Sequence, residues 1–290
     1  MENLMQFAVS GIMTGSTYSL IALGIVMIYK SSKIFNFAVG EMVMLGAFLL
    51  WTFLDLLNLA VWVSLLSAVV LCGLVALAME RLAIHPLAGQ PLLSTMLVTL
   101  GLADILRGLT MIFWGGTSER LREFLPGRPL IVGNIIIAHD LLWGFGIVIA
   151  LFIGVYLFYR LTRVGLAMRA VAESHWVAQA RGINVGTIFA VTWFCAGMVA
   201  AMGGILLGYR LGVQQFLALL GFKAFPGILF GGLESIGGAL IGGIVVGLLE
   251  NLTAGLITPW LGDITPYIAL MIVLLIRPDG LFGLKRIERI

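Results

Sequence analysis

Long apolar runs separated by short polar segments fill most of this chain. A helix needs about 20 apolar residues to cross the hydrocarbon core of a bilayer, which is roughly 30 Å thick. Eight runs reach or approach that length: residues 7–28, 37–57, 59–79, 92–114, 142–159, 186–209, 237–257 and 263–276. The pattern predicts an all-α polytopic membrane protein with about 8–9 transmembrane segments, forming a single transmembrane domain over residues 1–290.

A ninth apolar stretch, 216–232, is short and is interrupted by Gly221, Lys223, Pro226 and Gly227. Such a segment is either a broken crossing or a re-entrant pair of half-helices. Either form requires protein or water to cover the backbone groups that the break releases. We therefore expect at least one broken or re-entrant segment in this region.

Basic residues predict the orientation, because cytoplasmic loops are enriched in Lys and Arg. With the amino terminus outside, the loop at 115–141 is periplasmic, whereas the loop at 161–185 and the carboxyl terminus are cytoplasmic. This orientation needs an odd number of crossings, so either 216–232 crosses or one of the earlier segments does not, and we predict that 216–232 crosses. It puts eleven basic residues inside: Lys30, Lys33, Arg81, Arg160, Arg163, Arg169, Arg181, Arg277, Lys285, Arg286 and Arg289.

Composition excludes a soluble globular domain. The chain is 61% hydrophobic and only 11% charged, with a mean hydropathy of +1.10, whereas soluble domains are about 25% charged. The net charge of +3 follows from the basic residues at membrane boundaries, so no nucleic-acid partner is expected. Cys72 and Cys195 lie within apolar runs and are predicted to be unpaired core residues.

The longest external segment contains a predicted β-hairpin. Residues 129–132 and 135–138 are apolar and flank Gly133-Asn134, a dipeptide suited to a two-residue turn. Two roles fit this hairpin: a cap on the helix bundle, or a rim on which an external delivery protein docks.

Small residues recur every fourth position on three spans, which predicts close helix packing. In lipid, helices associate through close backbone approach rather than through the hydrophobic effect. The three faces are Gly11, Gly15 and Ser19; Ala196, Ala200, Gly204 and Gly208; and Ala239, Gly243, Gly247 and Asn251.

Ionisable residues inside spans are expensive, so each one is a candidate for function. Asp104 and Arg107 are three residues apart on one helix, which predicts that they pair with each other. Glu41 either accepts hydrogen bonds at a helix start or has a functional role. Glu250, beside Asn251, is predicted to lie in a buried polar cluster.

Motifs for catalysis are absent from the sequence. It contains no phosphate-binding Gly-Lys motif and no His-Glu-x-x-His motif, and its three histidines are scattered in connecting regions. We therefore expect a protein that is not an enzyme and that holds no metal or cofactor of its own.

The cytoplasmic loop 161–185 contains a predicted polar helix over 166–181. Ala170 and Val177 are seven residues apart, as are Val171 and Ala178, so they form an apolar stripe. Gly182 and Asn184 are suited to the end of this helix. Spacing alone fits both a helix that docks in a groove of a cytoplasmic protein and a helix that lies flat on the lipid surface.

Several sequence blocks resemble the branched-chain amino acid ABC-transporter permease family, in particular its LivH-like subunit. The resemblance covers nearly the whole chain and is carried by blocks in the expected order. They are residues 162–185 (TRVGLAMRAVAESHWVAQARGINV), 15–24 (GSTYSLIALG), 34–41 (IFNFAVGE), Glu80-Arg81 with Pro86-Leu87, Gly231-Gly232-Leu233, and 277–283 (RPDGLFG).

The resemblance implies a permease subunit of an importer in the bacterial inner membrane. Its partners would be a second permease subunit, two cytoplasmic ATPase subunits that bind ATP and Mg, and a periplasmic solute-binding protein. It also implies that the helix in loop 161–185 meets the ATPase, through Gly165, Arg169, Ala170, Glu173, Ala178 and Gly182. Val39, Glu234 and Gly237 depart from the family pattern, which leaves urea, amides and other small solutes open beside branched-chain amino acids.

The sequence thus favours an importer subunit for branched-chain or related amino acids, driven by separate ATPases. Polar groups near the broken regions, namely Thr14, Ser16, Asn36 and Glu41, are candidates for the solute pathway, because discontinuous membrane helices mark such pathways. Two alternatives stay open. One is a self-sufficient carrier or channel in which Glu41 or Glu250 carries protons, and the other is a structural membrane scaffold.

Overall fold

The computed structural model describes residues 2–87, 89–125, 127–277 and 280, and these residues are mainly helical. Twelve α-helices are present within those ranges. They are α1 (Glu2–Ser32), α2 (Val39–Trp51), α3 (Val61–Met79), α4 (Leu92–Trp114), α5 (His139–Leu161), α6 (Arg163–Glu173), α7 (His175–Ala180), α8 (Val185–Leu211), α9 (Leu217–Gly221), α10 (Ala224–Gly231), α11 (Ile236–Leu256) and α12 (Pro259–Ile276).

Eight of these helices are long and apolar enough to cross a membrane, which confirms the predicted all-α polytopic fold. Two continue beyond their α-helical parts. A π-helical turn at Thr52–Leu56 extends α2, and a π-helical turn at Glu80–Ile84 with a 3₁₀ turn at His85–Leu87 extends α3. Most of the block 277–283 and the basic residues Lys285, Arg286 and Arg289 lie outside the described residues.

The predicted hairpin is confirmed. Strands β1 (Leu130–Val132) and β2 (Ile135–Ile137) pair antiparallel, and Gly133 at the turn has a φ of 61°. The Gln6 side chain donates to the Ile136 carbonyl at 2.7 Å and accepts from the Ile136 N–H at 2.8 Å. The hairpin is therefore fastened to the start of α1.

Contacts within the chain group its residues into two compact units. The first contains residues 1–26, 125–149 and 223–290, and the second contains residues 27–124 and 150–222. Helices α1 and α5 each contribute to both units.

In the first unit, two of the predicted small-residue faces pack against each other. A Cβ added at Gly11 would lie 2.9 Å from the Gly247 carbonyl oxygen, and one added at Gly247 would overlap the backbone of Gly15. The Ser19 hydroxyl donates to the Leu240 carbonyl at 2.7 Å. Because residue numbers rise along α1 as they fall along α11, the two helices are antiparallel.

Helices α10 and α12 also run antiparallel to α11. Gly227 of α10 lies against Gly243, and Gly231 lies against Gly238. Gly262 of α12, which follows α11 after a short turn, lies against Ala254 of α11. Consequently α1, α10 and α12 all run in the same direction, which requires an odd number of crossings from α1 to α12. This agrees with the prediction that 216–232 crosses, and the break in that segment lies at Phe222–Lys223.

The core of the second unit is formed by α2, α3 and α8. A Cβ at Gly204 would overlap the Val43 carbonyl, and Gly46 leaves similarly little room beside Ala201. Gly197 approaches the backbone of Cys72 on α3. Gly204, which belongs to the predicted small-residue face of α8, and its neighbours Gly197 and Ala201 thus bring α8 into direct contact with α2 and α3. Cys72 and Cys195 are both free thiols, as predicted.

We expect Gly204→Val to destabilise the protein by about 1–3 kcal/mol, because the added methyl groups meet backbone that cannot move aside. Gly154→Val is the matched control, since Gly154 is also a mid-helix glycine and a Cβ there meets nothing within 4 Å. Thermal unfolding in detergent measures both. Equal loss of Tm in the two variants would contradict the packing described for α2 and α8.

Candidate functional sites

Residues 33–38 of the second unit connect α1 to α2 without helical structure. They lie beside the spanning helix α4, not beyond its end. The Phe37 N–H donates to the Thr99 hydroxyl at 3.3 Å, and that hydroxyl also lies 3.4 Å from the Phe35 carbonyl. Thr99 is seven residues into α4, about 10 Å from its start. The connection is thus irregular backbone at membrane depth, which persists only where protein or water covers it.

Asn36 stabilises this connection. Its side chain is fully buried, and its Oδ1 accepts a hydrogen bond from the Ala38 N–H at 3.0 Å. The amide therefore satisfies a backbone donor immediately before α2 begins at Val39. Asn36 was predicted as a solute-pathway residue, and within this chain it has a structural task at the helix break.

A charge pair joins α2 to α4 just beyond the break. The Arg107 guanidinium donates to Glu41 Oε1 at 2.6 Å. The Glu41 side chain is completely buried, whereas the Arg107 side chain is 46% exposed. Arg107 is 15 residues into the 23-residue helix α4, so the pair lies near mid-span.

The predicted pairing of Asp104 with Arg107 is wrong. Arg107 turns towards Glu41, because a fully buried carboxylate without a counter-charge costs more free energy than an exposed one. Asp104 is exposed and makes no ion pair with any residue that the structure describes. Sequence spacing could not reveal this, since the partner of Arg107 is 66 positions away.

The break before α2 meets the break after α9. A Cβ added at Gly221 would lie 2.6 Å from the Gly40 Cα, and one at Gly40 would overlap the Ala218 carbonyl. Both glycines stand next to chain that leaves the helical conformation. Two discontinuous segments are therefore in backbone contact, an arrangement that marks the solute site in several transporter folds.

The other two predicted pathway residues, Thr14 and Ser16, lie in the first unit, on α1. Ser16 is fully buried, and its hydroxyl donates to the Met13 carbonyl of the same helix at 2.6 Å. Of the four predicted residues, the structure thus brings Asn36 and Glu41 together at the start of α2.

A second charged cluster lies in the first unit. Lys223, at the break before α10, donates to Glu250 Oε1 at 2.6 Å and to Asp263 Oδ1 at 2.7 Å. The predicted polar cluster at Glu250 is confirmed, and its other members are Lys223 and Asp263. The Asn251 amide donates to the Gly247 carbonyl of its own helix. The cluster ties the start of α10 to α11 and α12.

The polar loop does not form the single helix predicted over 166–181. Ser174 is extended, with φ −159° and ψ 118°, and separates α6 from α7. Its hydroxyl accepts from the Val177 N–H at 3.4 Å, because serine is a favourable residue for starting a helix.

Asn184 likewise caps the start of α8 rather than ending a helix, accepting from the Thr187 N–H at 3.0 Å. Gly182 has a φ of 78°, the left-handed conformation expected there.

The predicted ATPase-contacting residues differ in exposure. Gly165 and Ala178 are buried, and Gly165 lies so close to the Phe158 carbonyl of α5 that no side chain fits. Arg169 and Ala170 are half-buried, whereas Glu173 and Gly182 are exposed. Sequence reasoning missed two strongly exposed apolar side chains of the loop, Leu166 and Trp176, at 60% and 83%. A tryptophan in a polar segment was the available signal for them. Val177 of the predicted apolar stripe is 61% exposed.

His175 connects this loop to the end of α1. A ring nitrogen of His175 lies 3.1 Å from the Ser31 carbonyl, and the ring packs edge-on against Phe189 of α8. Beside this contact, a cleft of about 530 Å³ opens between α7 and the connection that precedes α4. The loop is thus fastened to two membrane helices and still presents an open surface.

Removing Arg107 should cost more stability than removing the whole charge pair. We expect Arg107→Met to lower stability by up to about 3–5 kcal/mol, because it leaves Glu41 buried without a counter-charge. Adding Glu41→Gln to that variant should recover most of the loss. Thermal unfolding of both variants in detergent measures this, and equal Tm values would contradict a charge-paired Glu41.

Comparison with known proteins agrees with this architecture. Residues 7–274 match the family model for the branched-chain amino acid transport system, permease component. The high-affinity branched-chain amino acid transport system permease protein BraD of Pseudomonas aeruginosa is 30% identical over 302 residues, covering 99% of this chain and 98% of that protein. The corresponding LivH protein of Escherichia coli is 28% identical, covering 97% and 96%.

A solved structure shares the fold at low sequence identity. PsaBC from Streptococcus pneumoniae, in complex with a Fab, aligns over 96% of this chain and 93% of its own chain. The TM-score is 0.50 and the identity is 11%, so the likeness concerns the fold alone. The family match and the full-length relatives go further: the chain is a multi-pass membrane protein that belongs to the family of permease components of branched-chain amino acid transport systems.

Proposed function

We propose that the chain is the membrane-spanning subunit of an ABC importer for branched-chain or related amino acids, driven by separate ATPase subunits. The relatives named above are permeases for branched-chain amino acids. The main support for the proposal is the backbone contact between two helix breaks at Gly40 and Gly221. The Glu41–Arg107 ion pair lies beside this contact, near mid-span. Broken helices with charged groups at membrane depth are typical of solute pathways.

The assembly that we propose contains two permease subunits, two cytoplasmic ATPases and a periplasmic solute-binding protein. ATP and Mg belong to the ATPases, and this chain needs no cofactor and performs no catalysis. The subunit lies in the bacterial inner membrane with its carboxyl terminus in the cytoplasm. Basic residues at one end of the helices support this orientation, because they favour the cytoplasmic side.

Loop 161–185 is the proposed ATPase contact. Glu173 ends α6, where a negative charge opposes the helix dipole, and no described residue pairs with it. Such a residue is better explained by a basic partner outside this chain than by helix stability. Leu166 and Trp176 add exposed apolar surface of the kind that a protein partner covers.

The contact between His175 and Ser31 suggests how movement reaches the membrane. When the ATPases close on ATP, they displace α6 and α7, and this contact transmits the displacement to the end of α1 and the connection 33–38. A short irregular connection between two long helices is suited to act as a hinge. ATP shifts the population of two states only as far as it binds them differently.

Reconstitution tests the proposed function. The permease, its partner subunits and the binding protein are placed in proteoliposomes, and uptake of labelled leucine is measured with ATP, without ATP and with an ATPase inactivated by mutation. We expect uptake only with ATP and an active ATPase. Uptake by this chain alone under a proton gradient would instead establish a self-sufficient carrier. Assembly without leucine-dependent ATP hydrolysis would favour a scaffold.

Reversing the charge at Glu173 should weaken the ATPase contact. We expect Glu173→Lys to reduce co-purification of the ATPase at least about 10-fold, since a charge-assisted contact contributes about 1.5–3 kcal/mol. Glu123→Lys is the matched control, because Glu123 is also exposed but lies in the loop at the opposite end of α5. Equal capture of the ATPase by both variants would remove Glu173 from the contact.

A further inference from the structure

Asp104 occupies an unusual position on α4. It is 12 residues into the helix, about 18 Å along a helix of about 35 Å, and therefore near the middle of the span. Its side chain is exposed, and no ion pair or hydrogen bond links it to the described part of the chain. A carboxylate at the centre of a bilayer costs at least about 2.5–3.5 kcal/mol if it faces lipid.

Arg107 shares this part of α4. Its Nη2 donates to the buried Glu41, which fixes the orientation of the guanidinium, yet 46% of the side chain remains exposed. A guanidinium has five N–H donors, so further donors remain for a carboxylate. Residues at i and i+3 are neighbours on a helix, with Cβ atoms about 5–6 Å apart. One helical turn thus presents an exposed negative and an exposed positive group side by side.

The helix surface around Asp104 is open. A Cβ added at Gly101 or at Gly108 would meet nothing within 4 Å. These glycines lie three residues before and four residues after Asp104, so they share its face. Neither glycine packs against the described residues. Gly101 and Gly108 leave space on either side of Asp104, whereas the neighbouring Leu100 and Ile105 are exposed apolar side chains.

We propose that Asp104 and Arg107 bind the head group of an α-amino acid as it passes through the membrane. The Asp104 carboxylate accepts from the solute ammonium, and the free N–H groups of Arg107 donate to the solute carboxylate. The aliphatic side chain of the solute lies over Gly101 or Gly108. The inference rests on the proposed function and adds to it the site at which the zwitterion is recognised.

The arrangement of charges on this face is complementary to a zwitterion. The ammonium group faces Asp104 and the carboxylate faces Arg107, so each charge of the solute meets an opposite charge, while the net charge of the site stays as it was. A second permease subunit with a basic and an acidic residue at this level would be complementary in the same way. The test separates the two occupants.

Accessibility of Gly108→Cys is the first measurement, made on the assembled transporter in proteoliposomes with Cys195 replaced by serine. We expect a membrane-impermeant maleimide to label this cysteine, and leucine at about ten times its Kd to slow the labelling about 10-fold. Gly154→Cys on α5, also exposed and uncrowded, is the control and should stay unlabelled, because the residues one helical turn away from it are all apolar. Labelling without protection by leucine would overturn the proposal, as would no labelling at all. Labelling confined to the isolated chain would show that a subunit covers this face, and would overturn it too.

Substitution of the charges is the second measurement. We expect Asp104→Asn to abolish protection by leucine and to reduce ATP-driven uptake at least about 10-fold, with co-purification of the ATPase unchanged. Stability should also be unchanged, because Asp104 has no partner within the described chain to lose. Protection and uptake equal to wild type would overturn the proposal. Absence of leucine uptake by the wild-type complex would instead contradict the proposed function.

Discussion

An ion pair in the middle of the membrane, between Glu41 and Arg107, is the interaction on which the described arrangement depends. A carboxylate with no exposed surface cannot be hydrated, so it requires a counter-charge at the same depth. Arg107 supplies that charge and thereby fixes α2 against α4. Because α2 is anchored with its first turn near mid-span, the preceding connection is held inside the bilayer rather than at its surface.

Irregular backbone at that depth must be covered by protein, and glycine makes the cover possible. Gly40 and Gly221 let two broken segments touch through their backbones, where any side chain would separate them. The same device joins α8 to α2 through Gly204. In lipid, helices are held together by the packing of closely approaching backbones rather than by the hydrophobic effect. The helix breaks therefore depend on the glycine contacts that cover them.

Polar side chains are distributed unevenly over the described residues. Charged groups in the spans are held in ion pairs at Glu41 and at Lys223, whereas Asp104 is left exposed and unpaired within the described residues. The loop between α5 and α8 is fastened by His175 but exposes Trp176 and Glu173. These are the two surfaces at which we propose the contact with the solute and the contact with the ATPase.

The sequence by itself determined the approximate bounds of the eight long spans, the broken segment near Lys223, the hairpin at Gly133 and the family. Each of these depends on local composition, periodicity or turn chemistry, which residues close in the chain carry. Only the tertiary structure decided that Arg107 pairs with Glu41 rather than Asp104, and that Ser174 divides the polar helix. The partner of a buried charge is set by which helices pack side by side. The spacing of residues along one helix does not reveal which other helix packs beside it.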